Sequence, residues 1–540
     1  MKVLLIYPPK LNQYNYNKES SKTGLTLGLA YIAAFLNNHN NYADIINAPY
    51  QDVDSEYILR RIKEGHYDII GISMSIQEDV PDGIELACKI KRIYPELIIF
   101  VGGHFATHES ENILKNVKAV DIVVRGEGEM TTLNLINAIE TGEPFRNVKG
   151  ITYRDGEETV VNASAGLIED LDVLPFPIEE LNRSSGLEGD YATISAQRGC
   201  YGNCNFCSIV AFYGKSAIRR RTPRNVVEEI EQYYNKFGKR DFSFIDDDFI
   251  DSSDNSKKWV SEFCKELKGR QLKIRFNMVF RANDCKEEIL KPLIEVGLYQ
   301  VGIGVESFSE NVLKRMNKKI NLKHIIDAIK IIRDLGLKLV IGYIMFEPDM
   351  SFEDLYTNYI FLKMYGFFAP VHVYNYAKPY SGTPLRDKLL KEKRLLLNNW
   401  YEVGSYSFLD ERVQMVFEQL MKVKQTLVEM EKIHREGKLV YNEYVFGFWK
   451  LEYQMRCVLS TYIYRIIEMD KEIEKMETSI SISSLGNILK AVQAGDSLSS
   501  IDLGAEQTLK EVKMHMDNIS LLMNEMDTIL KKKGQKSNVE

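Results

Sequence analysis

Apolar residues in the first 140 positions fall into short blocks separated by amphipathic stretches. The blocks Lys2–Tyr7, Tyr42–Ile46, Tyr67–Ser73, Leu97–Val101 and Ala119–Arg125 have strand length and carry many β-branched residues. Between them, Leu27–Asn38, Ser55–Glu64, Pro81–Ile93 and His108–Leu114 repeat apolar residues at helical spacing. Apolar strands alternating with helices predict a parallel sheet covered on both faces, a doubly wound, Rossmann-like domain over residues 1–140. Residues 141–190 read as a linker holding a short hairpin (Gly150–Tyr153, turn Asp155-Gly156, Glu158–Val161) and Pro175-Phe176-Pro177.

The alternation resumes over residues 191–390. Strands are expected at Ala192–Ala196, Asp241–Ile245, Lys273–Val279, Gln300–Gly304, Lys338–Ile344 and Val371–Tyr376. Helices are expected at Pro223–Lys236, Ser256–Lys268, Glu287–Val296, Leu322–Leu335 and Phe352–Tyr365. That is too few strands for a full eight-fold barrel, so a partial (β/α)6 TIM-type barrel or an open sheet is expected. Over residues 391–540 strand signals stop. Val413, Phe417, Leu420, Val423, Leu427 and Met430 form one apolar stripe; Leu509, Val512, Met516, Ile519, Met523, Met526 and Leu530 form another. This predicts an all-α domain with its methionines in the core and a Ser- and Gly-bearing turn over residues 479–500.

Composition narrows the class. With 540 residues the chain needs several domains, and 45% apolar with 27% charged residues exclude a largely disordered one. A net charge of −7 gives no global basic field, so no nucleic-acid partner is expected. The start, Met1 to Pro9, is a short apolar run stopped by a double proline, which fits a buried first strand better than a signal peptide. No run nears the ~18 apolar residues of a membrane span. Seven cysteines, an odd count in a long chain, favour a reducing compartment, and a cytoplasmic location is expected.

Candidate chemistry gathers at strand ends. Gly71-Ile72-Ser73-Met74-Ser75, Gly102-Gly103-His104 and Arg125-Gly126-Glu127-Gly128-Glu129 follow strands three to five, and their glycines allow close approach of a large ligand. Simple βα turns would use glycine equally well. After the first strand of the second region comes Cys200-Tyr201-Gly202-Asn203-Cys204-Asn205-Phe206-Cys207. Three thiolates on one tight loop can hold three irons of a 4Fe–4S cluster and leave the fourth open. Zinc and a structural role are the rivals, but zinc favours four ligands, and no second knuckle exists. Cys88, Cys264, Cys285 and Cys457 are scattered and read as small core residues. Arg219-Arg220-Arg221 reads as a solvated or cluster-screening basic turn, with steering of an anionic substrate as the alternative.

The CxxxCxxC pattern, with Phe206 before its last cysteine, resembles the signature of the radical S-adenosylmethionine superfamily; the likeness extends over about residues 190–390. The resemblance implies that Cys200, Cys204 and Cys207 bind a 4Fe–4S cluster whose open iron takes S-adenosylmethionine. Reductive cleavage of that molecule then yields a 5′-deoxyadenosyl radical, the electron coming from a donor such as flavodoxin or ferredoxin. Asp246, Asp247 and Asp248 stand where family members contact the methionine amine, although acids replace the common Gly-Gly-Glu; a helix cap or acidic turn is the alternative. Arg281 and Asn283 would meet the methionine carboxylate, and Glu306 and Ser307 of Gly302-Ile303-Gly304-Val305-Glu306-Ser307 would approach ribose or methionine. For both pairs an ordinary loop role is the alternative. Pro379-Tyr380-Ser381-Gly382-Thr383-Pro384 resembles the family's closing turn, with Ser381 in place of a proline, and reads as structural.

A doubly wound domain ahead of such a core is similar to the cobalamin-binding subgroup. Thr23–Leu36, Asp68–Ser73, Gly102–Thr107 and Arg125–Glu129 carry the likeness, which implies cobalamin contacts at Ser73, Ser75, Gly102, Gly103, His104, Gly126 and Glu127. The loop that gives cobalt a histidine in other cobalamin proteins is missing; Asn47-Ala48-Pro49-Tyr50 stands there. The expectation is an enzyme that methylates an unactivated carbon of a small-molecule, lipid or peptide substrate, with no residue singled out as catalytic. A cyclase, ring-contraction or oxidation enzyme with the same cofactors is the alternative, and a metal-binding interaction protein is the alternative of another class.

Overall fold

A computed structural model describes residues 1–10, 24–183, 191–214, 218–367, 369–450, 453–496 and 504–532. Thr23 and the side chain of Cys457 lie outside the described set. The chain forms two compact units: residues 1–305, 313–342 and 378–406 in the first, residues 306–312, 343–377 and 407–540 in the second.

The first unit holds two sheets. One begins with β1 (Lys2–Tyr7), β2 (Tyr42–Asn47), β3 (Ile69–Ser73), β4 (Ile98–Gly102) and β5 (Ile122–Val124), paired in parallel in the order β2-β1-β3-β4-β5. Val3, Leu4, Leu5 and Ile6 are all buried, which is why this strand reads as an unbroken apolar run. Each such side chain contributes roughly 1.5–3 kcal/mol on full burial. The order reverses between β1 and β3, so the loops leaving β1 and β3 flank a switch point, where open α/β sheets bind ligands. The hairpin expected in the linker, β6 (Ile151–Asp155) and β7 (Glu158–Val161), joins this sheet as an antiparallel edge.

The second sheet is built from β8 (Tyr191–Ile194), β11 (Asp241–Phe244), β12 (Arg275–Arg281), β13 (Leu298–Glu306) and β14 (Lys338–Tyr343), in that spatial order. β8, β11, β12 and β13 run parallel. Two short strands, β9 (Gln197–Arg198) and β10 (Arg219–Arg220), pair antiparallel beside the cysteine loop. The sixth strand expected at Val371–Tyr376 does not form. Pro370–Tyr374 is helical, with proline in the first turn, and one parallel bridge joins Phe346 to Tyr376. Proline pre-sets a helical φ and cannot donate to a ladder, so the helix wins locally.

In the second unit, long helices span Glu411–Lys450, Tyr453–Ala494 and Ala505–Lys532. Leu427, Met430, Ile463, Ile466, Val512, Met516, Ile519 and Met526 form their shared core, so these methionines pack as expected. The turn expected over residues 479–500 is instead helical to Ala494. Ser481 and Ser483 donate to Glu477 O and Ile480 O of the same helix, satisfying hydroxyls that would otherwise favour a turn. Gly486 sits against Tyr359, where a β-carbon would come within 2.5 Å of the phenol oxygen. Among the described residues no helix is long and apolar enough to cross a membrane.

Candidate active site

β8 and β11 lie side by side, Ile194 opposite Phe244, and their outgoing loops are tied together residue by residue. Asp246 Oδ1 accepts from the backbone N–H of Ala196 (2.8 Å) and Gln197 (2.9 Å) and from Ser195 Oγ (3.3 Å). Asp247 Oδ2 accepts from Gly199 N at 3.1 Å. The Cys200 thiol donates to Asp248 Oδ2 at 3.4 Å. The three acids thus clamp successive parts of the cysteine loop. Burial pushes the carboxyls of Asp246 and Asp248 up to about 7, with Asp284 adding to the effect at Asp248. Asp246 Oδ2 and Asp248 Oδ1 are buried and have no hydrogen-bond partner.

Each cysteine of the loop meets one N–H donor. Gly202 N donates to Cys200 Sγ at 3.2 Å, Arg281 Nη1 to Cys204 Sγ at 3.8 Å, and the backbone of Ile209 to Cys207. Asn205 fixes the middle of the loop, donating from its backbone to Met316 O (3.0 Å) and from Nδ2 to Arg315 O (2.8 Å). Burial pushes the Cys200 thiol up to about 12, helped by Asp248, and the Cys207 thiol up to about 11. A metal must therefore displace protons to bind here. No three His, Cys, Asp or Glu side chains converge on one point among the described residues, as a single ion would need. Three thiols spaced along one loop, each with its own donor, fit the corners of an iron–sulfur cluster better.

Arg281 is buried. Nη2 donates to Lys318 O, and the guanidinium lies 5.1 Å from the centroid of the Tyr201 ring. Tyr201 is held by Asp284 and by Asn283 Nδ2 (2.9 Å). Both β12-end residues named from the sequence therefore touch the cysteine loop. Arg281 Nε and Asn283 Oδ1 remain buried without partners. Glu306 ends β13 with φ 62°, a strained conformation for a side-chain-bearing residue. Ser307 is buried in the second unit and donates to Asn358 Oδ1 at 2.9 Å, so its hydroxyl is already engaged.

A cavity of about 340 Å³ opens at the carboxyl ends of the first sheet. Ser73, Ser75, Gly102, Gly103, His104, Gly126 and Glu127 all line it, and Asp247, Arg198, Phe212 and Tyr213 line it from the cysteine-loop side. Gly103 has φ 112°, and a β-carbon there would overlap Ser75 Oγ. Met74 N bonds Gly102 O at 2.7 Å, so the two glycine-bearing loops form one floor. His104 stacks on Phe212, ring centroids 3.8 Å apart and planes nearly parallel. Burial, with a smaller push from His108, lowers His104 to about 4 and keeps it neutral. A glycine-rich floor facing an apolar and aromatic wall fits a large flat cofactor.

Two parts of the sequence reading change. Arg219-Arg220-Arg221 is neither solvated nor available to steer a substrate. Arg219 pairs with Glu127 (2.8 Å), Arg220 with Asp251 (3.3 Å) and Arg221 with the buried Glu229. Glu127 also takes Arg198 Nη1 at 2.7 Å and Ile168 N at 2.8 Å, so its carboxylate is fully occupied. Cys88, expected in the core, is exposed, whereas Cys264 and Cys285 are buried. Sequence reasoning missed Arg198, Tyr201, Phe212 and Tyr213; their closeness to the cysteines was the available signal.

Comparison with known proteins agrees with this arrangement. The Radical SAM superfamily matches residues 194–357, and the B12 binding domain matches residues 17–136. An uncharacterized methyltransferase of Pyrococcus horikoshii is 28% identical over 403 residues, covering 74% of this chain and 85% of that one. The anaerobic magnesium-protoporphyrin IX monomethyl ester cyclase of Cereibacter sphaeroides is 27% identical, covering 74% and 70%. The cobalamin-dependent S-adenosylmethionine radical enzyme OxsB, solved with aqua-cobalamin and S-adenosylmethionine bound, superposes with a TM-score of 0.69 at 21% identity, covering 96% and 84%, a likeness of fold.

Proposed function

Since the chain belongs to the radical SAM superfamily and carries a B12-binding domain, and so is an enzyme whose cofactors are a 4Fe–4S cluster, S-adenosylmethionine and cobalamin, we propose that it methylates an unactivated carbon of a natural product, peptide or lipid. The observation that carries the reading is the shared cavity. The floor at the carboxyl ends of the first sheet meets the segments that flank the cysteine loop, Gln197-Arg198 and Phe212-Tyr213, within one unit, with Asp247 in the common wall. When bound, these groups supply a hydrogen-abstracting radical and a methyl carrier.

The chain's own residues bind, orient and shield. Cys200, Cys204 and Cys207 would hold the cluster. Gly102, Gly103, Gly126, Ser73 and Ser75 would let the corrin lie against backbone, and His104 lines the same cavity. The unpartnered oxygens of Asp246 and Asp248 are suited to accept hydrogen bonds from the methionine ammonium. Asn283 Oδ1 offers one further acceptor near the same loop. Phe212, Tyr213 and Tyr31 surround the cavity with apolar surface that excludes water from a reactive radical. A cytoplasmic setting, with flavodoxin or ferredoxin as electron donor, fits the same reading.

The test is isotope transfer. Anaerobic wild-type protein with reductant, methyl-labelled S-adenosylmethionine and fractionated extract should place label in an acceptor, and Cys204→Ala should not. S-adenosylmethionine cleavage without label in any acceptor would reject methyl transfer. That outcome would favour cyclisation or another rearrangement, a reading supported by the likeness to the cyclase of Cereibacter sphaeroides.

A further inference from the structure

Arg281 faces the cluster loop in a way that the binding of S-adenosylmethionine does not require. Its guanidinium is buried, and its position is fixed on three sides: Lys318 O accepts from Nη2, the Tyr201 ring lies beneath it, and Cys204 Sγ is 3.8 Å from Nη1. Gly202 completes the fit, because a β-carbon there would overlap Nη1. Of the three donors to the cysteine sulfurs, two are backbone amides and the third carries a full positive charge.

We propose that Arg281 sets the reduction potential of the cluster by donating a charge-assisted hydrogen bond to the Cys204 thiolate. This rests on the reading that Cys200, Cys204 and Cys207 hold a 4Fe–4S cluster. Hydrogen bonds to cluster sulfurs, burial and net charge tune such potentials. Reduction adds one electron, supplied by an external low-potential donor, to a group already made anionic by three thiolates. A buried cation against one of those sulfurs stabilises the more negative state and raises the potential. Because Arg281 acts through Cys204, it is a positioning residue.

The experiment is an anaerobic redox titration of the reconstituted full-length protein, with the reduced cluster followed by electron paramagnetic resonance and iron counted in parallel. Arg281→Gln removes the charge, and Arg281→Lys retains it. The expected result for Arg281→Gln is at least a tenfold fall in the reduced-to-oxidised ratio at fixed potential, a shift of 59 mV or more for one electron. Arg281→Lys should recover at least half of the shift. If Arg281→Gln loses iron, Gly202→Ala is read instead, since its β-carbon displaces the guanidinium, and the same downward shift is expected. An unchanged midpoint with iron retained overturns the proposal. So does an unchanged midpoint with weakened S-adenosylmethionine binding, which would assign Arg281 to the methionine carboxylate. Wild-type protein that takes up no iron would instead overturn the cluster reading itself.

Discussion

At the scale of single residues, the site depends on contacts whose loss has a calculable cost. Glu127 neutralises Arg219 and takes one hydrogen bond from Arg198, all within the first unit. Removing one partner of a buried ion pair leaves an uncompensated charge, at about 3–5 kcal/mol. Glu127→Ala should lower stability by that amount in denaturant unfolding, and an unchanged midpoint would show the network to be dispensable. Gly103→Ala forces a β-carbon into Ser75 at φ 112° and should cost roughly 1–3 kcal/mol in backbone strain alone. The expected readout is weakened retention of corrinoid absorbance on gel filtration, with iron content unchanged. Residue identity made the three cysteines and the glycine loops readable in the sequence. The clamp made by Asp246, Asp247 and Asp248 was not readable, because each acid finds its partner about fifty positions upstream, and only the register of β8 with β11 brings them together. The arginine run misled for the same reason: its neighbours in sequence are cations, whereas its partners in space are Glu127, Asp251 and Glu229.

At the scale of elements, periodicity served the first sheet well and the second unit less well. The short runs of β1, β3, β4 and β5 are apolar on both faces, a pattern with few competing readings. The Ser-bearing stretch before Ala494 looked like a turn because serine disfavours helix interiors in isolation, and back-bonding to the preceding turn removes that objection. Between that helix and Glu411–Lys450, a buried histidine held by two acids predicts a pH response. His434 Nε2 meets Asp470 at 2.8 Å and Nδ1 meets Glu477 at 3.0 Å; Lys438 pairs with Asp470, and Glu431 is nearby. Burial opposes the charged imidazole, but the two carboxylates more than reverse this and raise His434 from 6.5 to about 9. A raised histidine stabilises the fold most below its unfolded value and loses that contribution as pH rises through the folded one. Helical unfolding followed by circular dichroism should therefore lose stability between pH 6.5 and 9, and His434→Gln should flatten the loss. An unaltered pH profile in the variant would refute the assignment. The closing turn gives a simpler case. Thr383 Oγ1 caps the helix Pro384–Lys391 by accepting from Arg386 N at 3.2 Å. Thr383→Ala should cost about 1 kcal/mol.

At the scale of the whole molecule, the architecture divides the labour. One sheet offers a cofactor floor, the other carries the cysteine loop, and within the first unit their loops share a cavity. Domain order and cofactor class were legible because both are written in local motifs. The substrate was not, because specificity lies in side chains that distant segments bring together. Product stoichiometry separates radical methyl transfer from its rivals. Under anaerobic turnover with reductant and an active acceptor, 5′-deoxyadenosine and S-adenosylhomocysteine should form in equal amounts, the first from radical generation and the second from replenishing the methyl group. Formation of 5′-deoxyadenosine without S-adenosylhomocysteine would contradict methyl transfer, and formation of neither would contradict radical chemistry altogether.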